Sequence, residues 1–313
     1  MVVLLLAAVL IVIINKEFGR MISSYDEYSY ILSQIGRESI NTLSLIELGL
    51  LFLIIPQLSS GAISSEFERK TFDVLAATSL SSKSIILQKF AAIAIQSISY
   101  IMLSVPILAL AFLFGGVSPL EIFILLVLLL SSAIFISAGG VYCSSFFSKT
   151  SVASMVLFIG LVIIYGLTVL LGYGTQQEGM IGFVTFVLTA GLMSIAVYAI
   201  VTLFFRRKRI FWSVRWHRMV VYGFALFMVV ISFSKLFVDV FFDQTTYSLP
   251  VSLFINPFAA IDIWMSGPTV FGYTETLTIV ISTISFSIIS AIAMIIFSIN
   301  RLEALRIGEA GYK

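Results

Sequence analysis

Residues Ile63–Lys89 read "ISSEFERKTFDVLAATSLSSKSIILQK", the only long polar stretch in the first half of an otherwise apolar chain. It begins where one apolar run, Leu43–Ile63, stops, and it ends where another, Phe90–Phe114, starts. Both neighbours reach the roughly 20 apolar residues that a helix needs to cross a bilayer. Within the stretch, Ser65-x-x-Glu68 matches a capping box, in which a serine and a glutamate each satisfy an orphan amide of a first helical turn. Phe67, Thr71, Val74, Leu75 and Thr78 follow the spacing of one helix face, and Glu66, Arg69, Lys70 and Asp73 fill the rest. The pattern predicts a short amphipathic helix, Ser64–Ala77, outside the bilayer between two crossings. On amphipathicity alone that helix serves equally well as a plain connector.

Working outward, the whole chain is built for lipid. Of 313 residues, 60% are hydrophobic and 11% charged, and the mean hydropathy is +1.11. Soluble domains carry roughly 25% charged residues, so this chain cannot cover itself with a polar surface in water. Further runs of spanning length are Leu120–Tyr142, Val152–Gly172, Ile181–Phe205, Met219–Val238 and Thr276–Ile299. The shorter Met1–Ile14 lacks the basic start and small-residue cleavage site of a signal peptide. It reads as a first crossing cut short at its start, with the true start codon upstream. The expectation is an all-α polytopic membrane protein with about eight transmembrane helices.

Lysine and arginine near helix ends set orientation. Fourteen of the 18 basic residues fall in Ser64–Lys89, Ser144–Ser151, Arg206–Arg218 and the tail after Asn300. That side is expected to be cytoplasmic, together with both termini. Residues 206–218 form a basic linker, with Trp212 and Trp216 at the interface. Across the membrane, the segment 248–268 is apolar but broken by Pro250, Pro257, Gly267 and Pro268. It is expected to form short interfacial or re-entrant helices, with Trp264 at headgroup level.

Several function classes drop out. A net charge of +2 gives no reason to expect nucleic acid. The lone Cys143 permits no intrachain disulfide, and the lone His217 sits among Arg215, Trp216 and Arg218 as an interface residue. No His/Cys/carboxylate cluster has metal spacing. With no Gly-Lys pair, the chain has no phosphate-cradling loop of its own. No catalytic, metal-binding or cofactor-binding residues are assigned, and an enzyme is not expected. Ionisable residues at membrane depth are functional candidates, and the best is Glu47; an outer-interface position is its alternative. Pro56 and Pro106 fall inside spans, where proline kinks a helix.

The stretch E-F-E-R-K-T-F-D-V-L-A-A-T-S-L-S-S-K-S-I-I-L-Q-K resembles the cytoplasmic loop of the ABC-2 type permeases, the membrane subunits of a class of ATP-binding-cassette transporters. Glu66, Glu68, Thr71, Leu75, Leu80 and Lys89 match that family's pattern. Lys70 and Ser79 stand where glycine and proline are usual, and Gln88 where glycine often precedes the lysine. "LFGGVSP" (113–119), "SSFFSKTSVAS" (144–154) and "INPFAAIDIW" (255–264) resemble further family segments in the same order. The resemblance implies a permease core over 1–205 with its coupling helix at 64–77, six crossings in all. Residues 206–313 then add two more crossings.

It implies a plasma-membrane exporter subunit of a bacterium or archaeon, paired with a second permease in a homodimer or heterodimer. ATP and magnesium would be held by a separate ATP-binding-cassette subunit. Glu66 and Glu68 would make ionic contacts to that ATPase, with Arg69 and Thr71 beside them. Phe67 and Leu75 would anchor on the ATPase or bury against the permease itself. The alternative is a regulatory or assembly subunit that keeps the permease fold and transports nothing. No polar intramembrane cluster is evident, which favours a hydrophobic or lipid-like substrate.

Overall fold

A computed structural model describes residues 2–21, 28–174, 256–266 and 273–310, all helix or short turns. The expected crossings Ile181–Phe205 and Met219–Val238, the basic linker, Trp212, Trp216 and His217 lie outside the described residues. The chain divides into two compact units, Met1–Tyr165 with Ile255–Lys313, and Gly166–Phe254.

The helices are α1 (Val2–Met21), α2 (Tyr28–Glu68), α3 (Phe72–Ala76), α4 (Ser82–Phe112), α5 (Pro119–Phe146), α6 (Thr150–Gly174), α7 (Pro257–Ser266) and α8 (Tyr273–Ala310). Among the described residues, α2, α4, α5 and α8 are long and apolar enough to cross a membrane. The expected spans Leu43–Ile63, Phe90–Phe114, Leu120–Tyr142 and Thr276–Ile299 fall essentially within these four. The apolar stretches described in α1 and α6, Leu6–Asn15 and Thr150–Tyr165, are shorter.

Side-chain caps set where α4, α5 and α7 begin. Ser81, in extended conformation, accepts the Ser84 amide at 3.2 Å and starts α4 well before Phe90. Ser118 and Glu121 form a true capping box at the start of α5, with Pro119 in the first turn. Proline there gives up an amide that has no helical partner anyway. Asn256 starts α7 the same way, its side-chain oxygen accepting the Phe258 and Ala259 amides at 3.0 and 3.4 Å.

The core seam is the broad contact of α2 with α5. Small residues set its closeness: a Cβ added to Gly140 would lie 1.7 Å from the Ser59 hydroxyl. Close backbone approach through glycine and serine is the usual way helices associate in lipid, where no hydrophobic effect drives them together. The buried serines cost little, because Ser44, Ser59 and Ser137 each donate to the carbonyl four residues back.

One end of the bundle is fastened by Arg37 of α2. Its guanidinium donates to the Gly116 carbonyl at 3.0 Å, the Met265 carbonyl at 2.9 Å and the Glu121 carboxylate at 3.1 Å. These bonds join α2 to the α4–α5 turn, to α5 and to α7. Asn41, one turn along from Arg37, donates to Asp262 of α7 at 3.0 Å. The Trp264 indole donates to the Glu121 carbonyl at 3.1 Å. Gly116 holds a left-handed φ of +80°, and its Cβ would meet the Ser33 carbonyl at 1.9 Å, so only glycine fits.

Within the 248–268 segment, α7 has ten residues, roughly 15 Å at about 1.5 Å per residue. That is too short to cross. It is a buried bracket, with Ile261 and Trp264 no more than 4% exposed. Trp264 faces protein, not lipid, because its N–H has an internal acceptor.

Candidate functional site

At the opposite end of the bundle lies the loop that the sequence singled out. From Arg37 to Glu66 is 29 residue steps of one helix, roughly 44 Å at about 1.5 Å each. That matches the full thickness of a bilayer with its headgroups. The crossing part of α2 therefore ends near Ile63, and Glu66 and Glu68 lie beyond it.

The expected helix from Ser64 to Ala77 is not what forms. Helix α2 runs on to Glu68, stops, and a separate five-residue α3 follows. The Ser65-Glu68 capping box is not made, because the residues before Ser65 are already helical and leave no orphan amides. The Ser65 hydroxyl donates back to the Gly61 carbonyl instead. The stop is a Schellman turn. Lys70 N donates to Phe67 O at 3.2 Å and Thr71 N to Glu66 O at 2.9 Å, with Lys70 at a left-handed φ of 57°. Glycine normally takes that place; here a lysine does, at a conformation that strains a residue with a Cβ.

The faces differ from the expectation as well. Phe72, not Val74, turns inward: Phe72 is 3% exposed and Val74 70%. A helix of one turn cannot sustain the i, i+4, i+7 face that a longer helix would. Phe72 stacks on Phe67, with ring centroids 4.1 Å apart and planes 19° from parallel. It enters a buried cluster with Ile63 of α2, Ile85, Ile86 and Ile93 of α4, Val141 of α5 and Leu302 of α8. Phe67 and Leu75 pack on the edge of that cluster.

Polar contacts then pin the loop to three helices. Glu66 accepts the Thr71 hydroxyl at 2.6 Å and the Lys89 ammonium of α4 at 2.9 Å. The Thr71 hydroxyl first, and then Lys89, hold its carboxyl below the usual range. Glu68 accepts both the Thr150 amide at 3.0 Å and the Thr150 hydroxyl at 2.7 Å. It thus serves as an external cap at the start of α6, and Thr150 lowers its carboxyl likewise. From α8, Arg306 donates to the Leu80 carbonyl at 2.6 Å and the Thr78 carbonyl at 2.8 Å.

Of the six residues singled out in the loop, Glu66, Phe67, Glu68, Thr71 and Leu75 are engaged within the chain, and Arg69 is left on the surface with Lys70, Asp73 and Val74. The pins from Thr150, Lys89 and Arg306 carried no local signal, since their partners lie 82, 23 and 226 residues away.

Glu47 lies apart from the loop. Placed ten residues after Arg37, it is roughly 15 Å further along α2 at about 1.5 Å per residue. It is 2% exposed, and its Oε1 accepts the Ser104 hydroxyl of α4 at 2.6 Å. It faces α4, not an aqueous interface. No group of three or more potential metal ligands occurs among the described residues.

No family model, curated protein or solved structure matches the chain.

Proposed function

We infer that this chain is the membrane subunit of an ABC-2 type transporter, an exporter in the plasma membrane of a bacterium or archaeon. A separate ATP-binding subunit would hydrolyse the nucleotide, and a second permease subunit would complete the pathway. The observation that carries the reading is the mounting of the loop between α2 and α4. The end of α2 is bolted by Glu66 to α4 and by Glu68 to α6, the segment after the one-turn helix is held by Arg306 of α8, and Phe72 of that helix is sunk in a cluster shared by four helices.

A passive connector needs none of these fastenings. A part that takes a push from a partner and passes it to several spans needs all of them, because packed elements move as rigid bodies. On this reading the glutamates are the bolts and not the contact. Contact with the ATPase falls to the outward residues Arg69, Lys70, Asp73 and Val74, with Val74 as the apolar anchor.

The test is to purify the chain with the ATP-binding subunit encoded beside it and to assay ATP-dependent transport in vesicles. Recovery of a complex that transports supports the reading. A stable complex that hydrolyses ATP and moves nothing would favour the assembly-subunit alternative.

A further inference from the structure

Nearly every polar side chain inside the bundle is satisfied within its own helix. The hydroxyls of Ser44, Ser59, Ser97, Ser132 and Ser137 each donate to the carbonyl one turn back. Among the described residues, Ser39, Asn41, Glu47 and Arg301 each keep one buried polar atom without a partner, and Glu47 is the acid among them. Its Oε1 accepts the Ser104 hydroxyl across the α2–α4 contact, while its Oε2 is fully buried and has no hydrogen-bond partner among the described residues. No basic side chain among them forms an ion pair with it; Arg37 pairs with Glu121 and Lys89 with Glu66 instead.

The surroundings are apolar. Leu43, Leu48 and Leu51 flank Glu47 on α2, and Ile101 and Leu108 flank Ser104 on α4, all 3% exposed or less. A half-bonded carboxyl in such a place is costly to keep, and acidic groups at membrane depth commonly mark a substrate or ion path. The free oxygen calls for a donor that the described residues do not supply.

The chemistry at the unpartnered oxygen narrows the ligand. A divalent metal such as calcium needs six to eight oxygens, and here a single carboxylate and one hydroxyl face each other. A primary ammonium group brings its own charge and three N–H donors, one of which the free Oε2 accepts. The apolar flanks suit the hydrocarbon chain that would carry such a headgroup into the membrane. We propose that Glu47, positioned by Ser104, is the recognition point for the ammonium group of a membrane-dissolved amphiphile, the substrate of the transporter. The proposal rests on the transport reading above and gives its substrate a class. Oε2 is enclosed in this conformation, so the ligand enters on a thermal opening of α2 from α4 that needs no ATPase.

Binding is measured on the full-length chain in phosphatidylcholine nanodiscs, without the ATPase, so the result does not depend on coupling. The probes are dodecylamine, dodecanol of the same chain length, and a short-chain phosphatidylethanolamine. The last shows whether the ammonium arrives on a free amine or on a lipid headgroup. The wild-type chain is expected to prefer at least one amine over dodecanol by about tenfold or more. In Glu47→Gln the preference is expected to vanish, while Glu47→Asp retains part of it and shows that the site still folds. Equal preference in wild type and Glu47→Gln, or no preference for either amine in the wild type, overturns the proposal. If instead the chain fails to transport with its ATPase yet binds an amine through Glu47, the transport reading fails and the site stands.

Discussion

Replacing Arg37 by methionine tests how the bundle is held at the end remote from the loop. Methionine keeps most of the apolar stem and removes all three donors. The lost bonds run at 3.0, 2.9 and 3.1 Å to Gly116, Met265 and Glu121. A hydrogen bond from a charged donor contributes roughly 1.5–3 kcal/mol when well buried. Arg37 and Glu121 are 29% and 14% exposed at their side chains, so about 1 kcal/mol per bond is the appropriate scale. The sum is about 3 kcal/mol.

Reversible unfolding in mixed detergent micelles, followed by near-ultraviolet circular dichroism, measures the loss directly. Arg37→Lys, which keeps the charge and loses the fork, should recover about a third of it. A cycle of Arg37→Met with Glu121→Gln should show a coupling of about 1 kcal/mol. A loss below about 0.5 kcal/mol for Arg37→Met would refute the argument, since three simultaneous bonds of this geometry cannot all be worthless.

Lys70→Gly should stabilise the chain by about 1 kcal/mol, because a residue with a Cβ is strained at φ 57°; Lys70→Ala should change little, and the same unfolding assay compares them. Phe72→Ala should cost roughly 3–5 kcal/mol, whereas Val74→Ala, at a position 70% exposed, should be close to neutral. Glu66 has a folded-state carboxyl lowered from its ordinary 4.5, so its contribution is present above that value and is lost as pH falls through the lower folded value. Amide exchange in residues 66–75 should therefore stay constant from neutral pH down to the ordinary carboxyl range, once corrected for intrinsic rates, and rise below it. Glu66→Gln should reduce that pH dependence, leaving the part that Glu68 contributes through Thr150.

The four long apolar helices were legible because an apolar run of spanning length admits few other fates. The ends were less so. Two identical patterns, Ser65-x-x-Glu68 and Ser118-x-x-Glu121, were available as helix starts, and only the second forms. What separates them is upstream: Ser118 follows Gly115 and Gly116, whose positive φ values break the chain, whereas Ser65 follows an uninterrupted helical run. That signal was present in the residues and outweighs the cap itself.

The loop's short helix, by contrast, was misjudged because amphipathic spacing was extended through a Schellman stop. The left-handed residue at that stop is a lysine, so the usual glycine mark was missing. The fastenings of Glu68 on Thr150 and of Arg37 on Met265 join residues 82 and 228 apart. No local periodicity encodes such pairs, and only the packed bundle brings them together.

The central claim is that the surface formed by Arg69 and Val74 receives an ATP-hydrolysing partner. Both side chains point outward, so Arg69→Glu with Val74→Asp should leave the fold intact. The direct measurement is the amount of ATP-binding subunit recovered with the purified permease, wild type against this double variant. The account predicts a loss of about tenfold or more with an unchanged unfolding midpoint; equal recovery of the ATPase with both chains would contradict it.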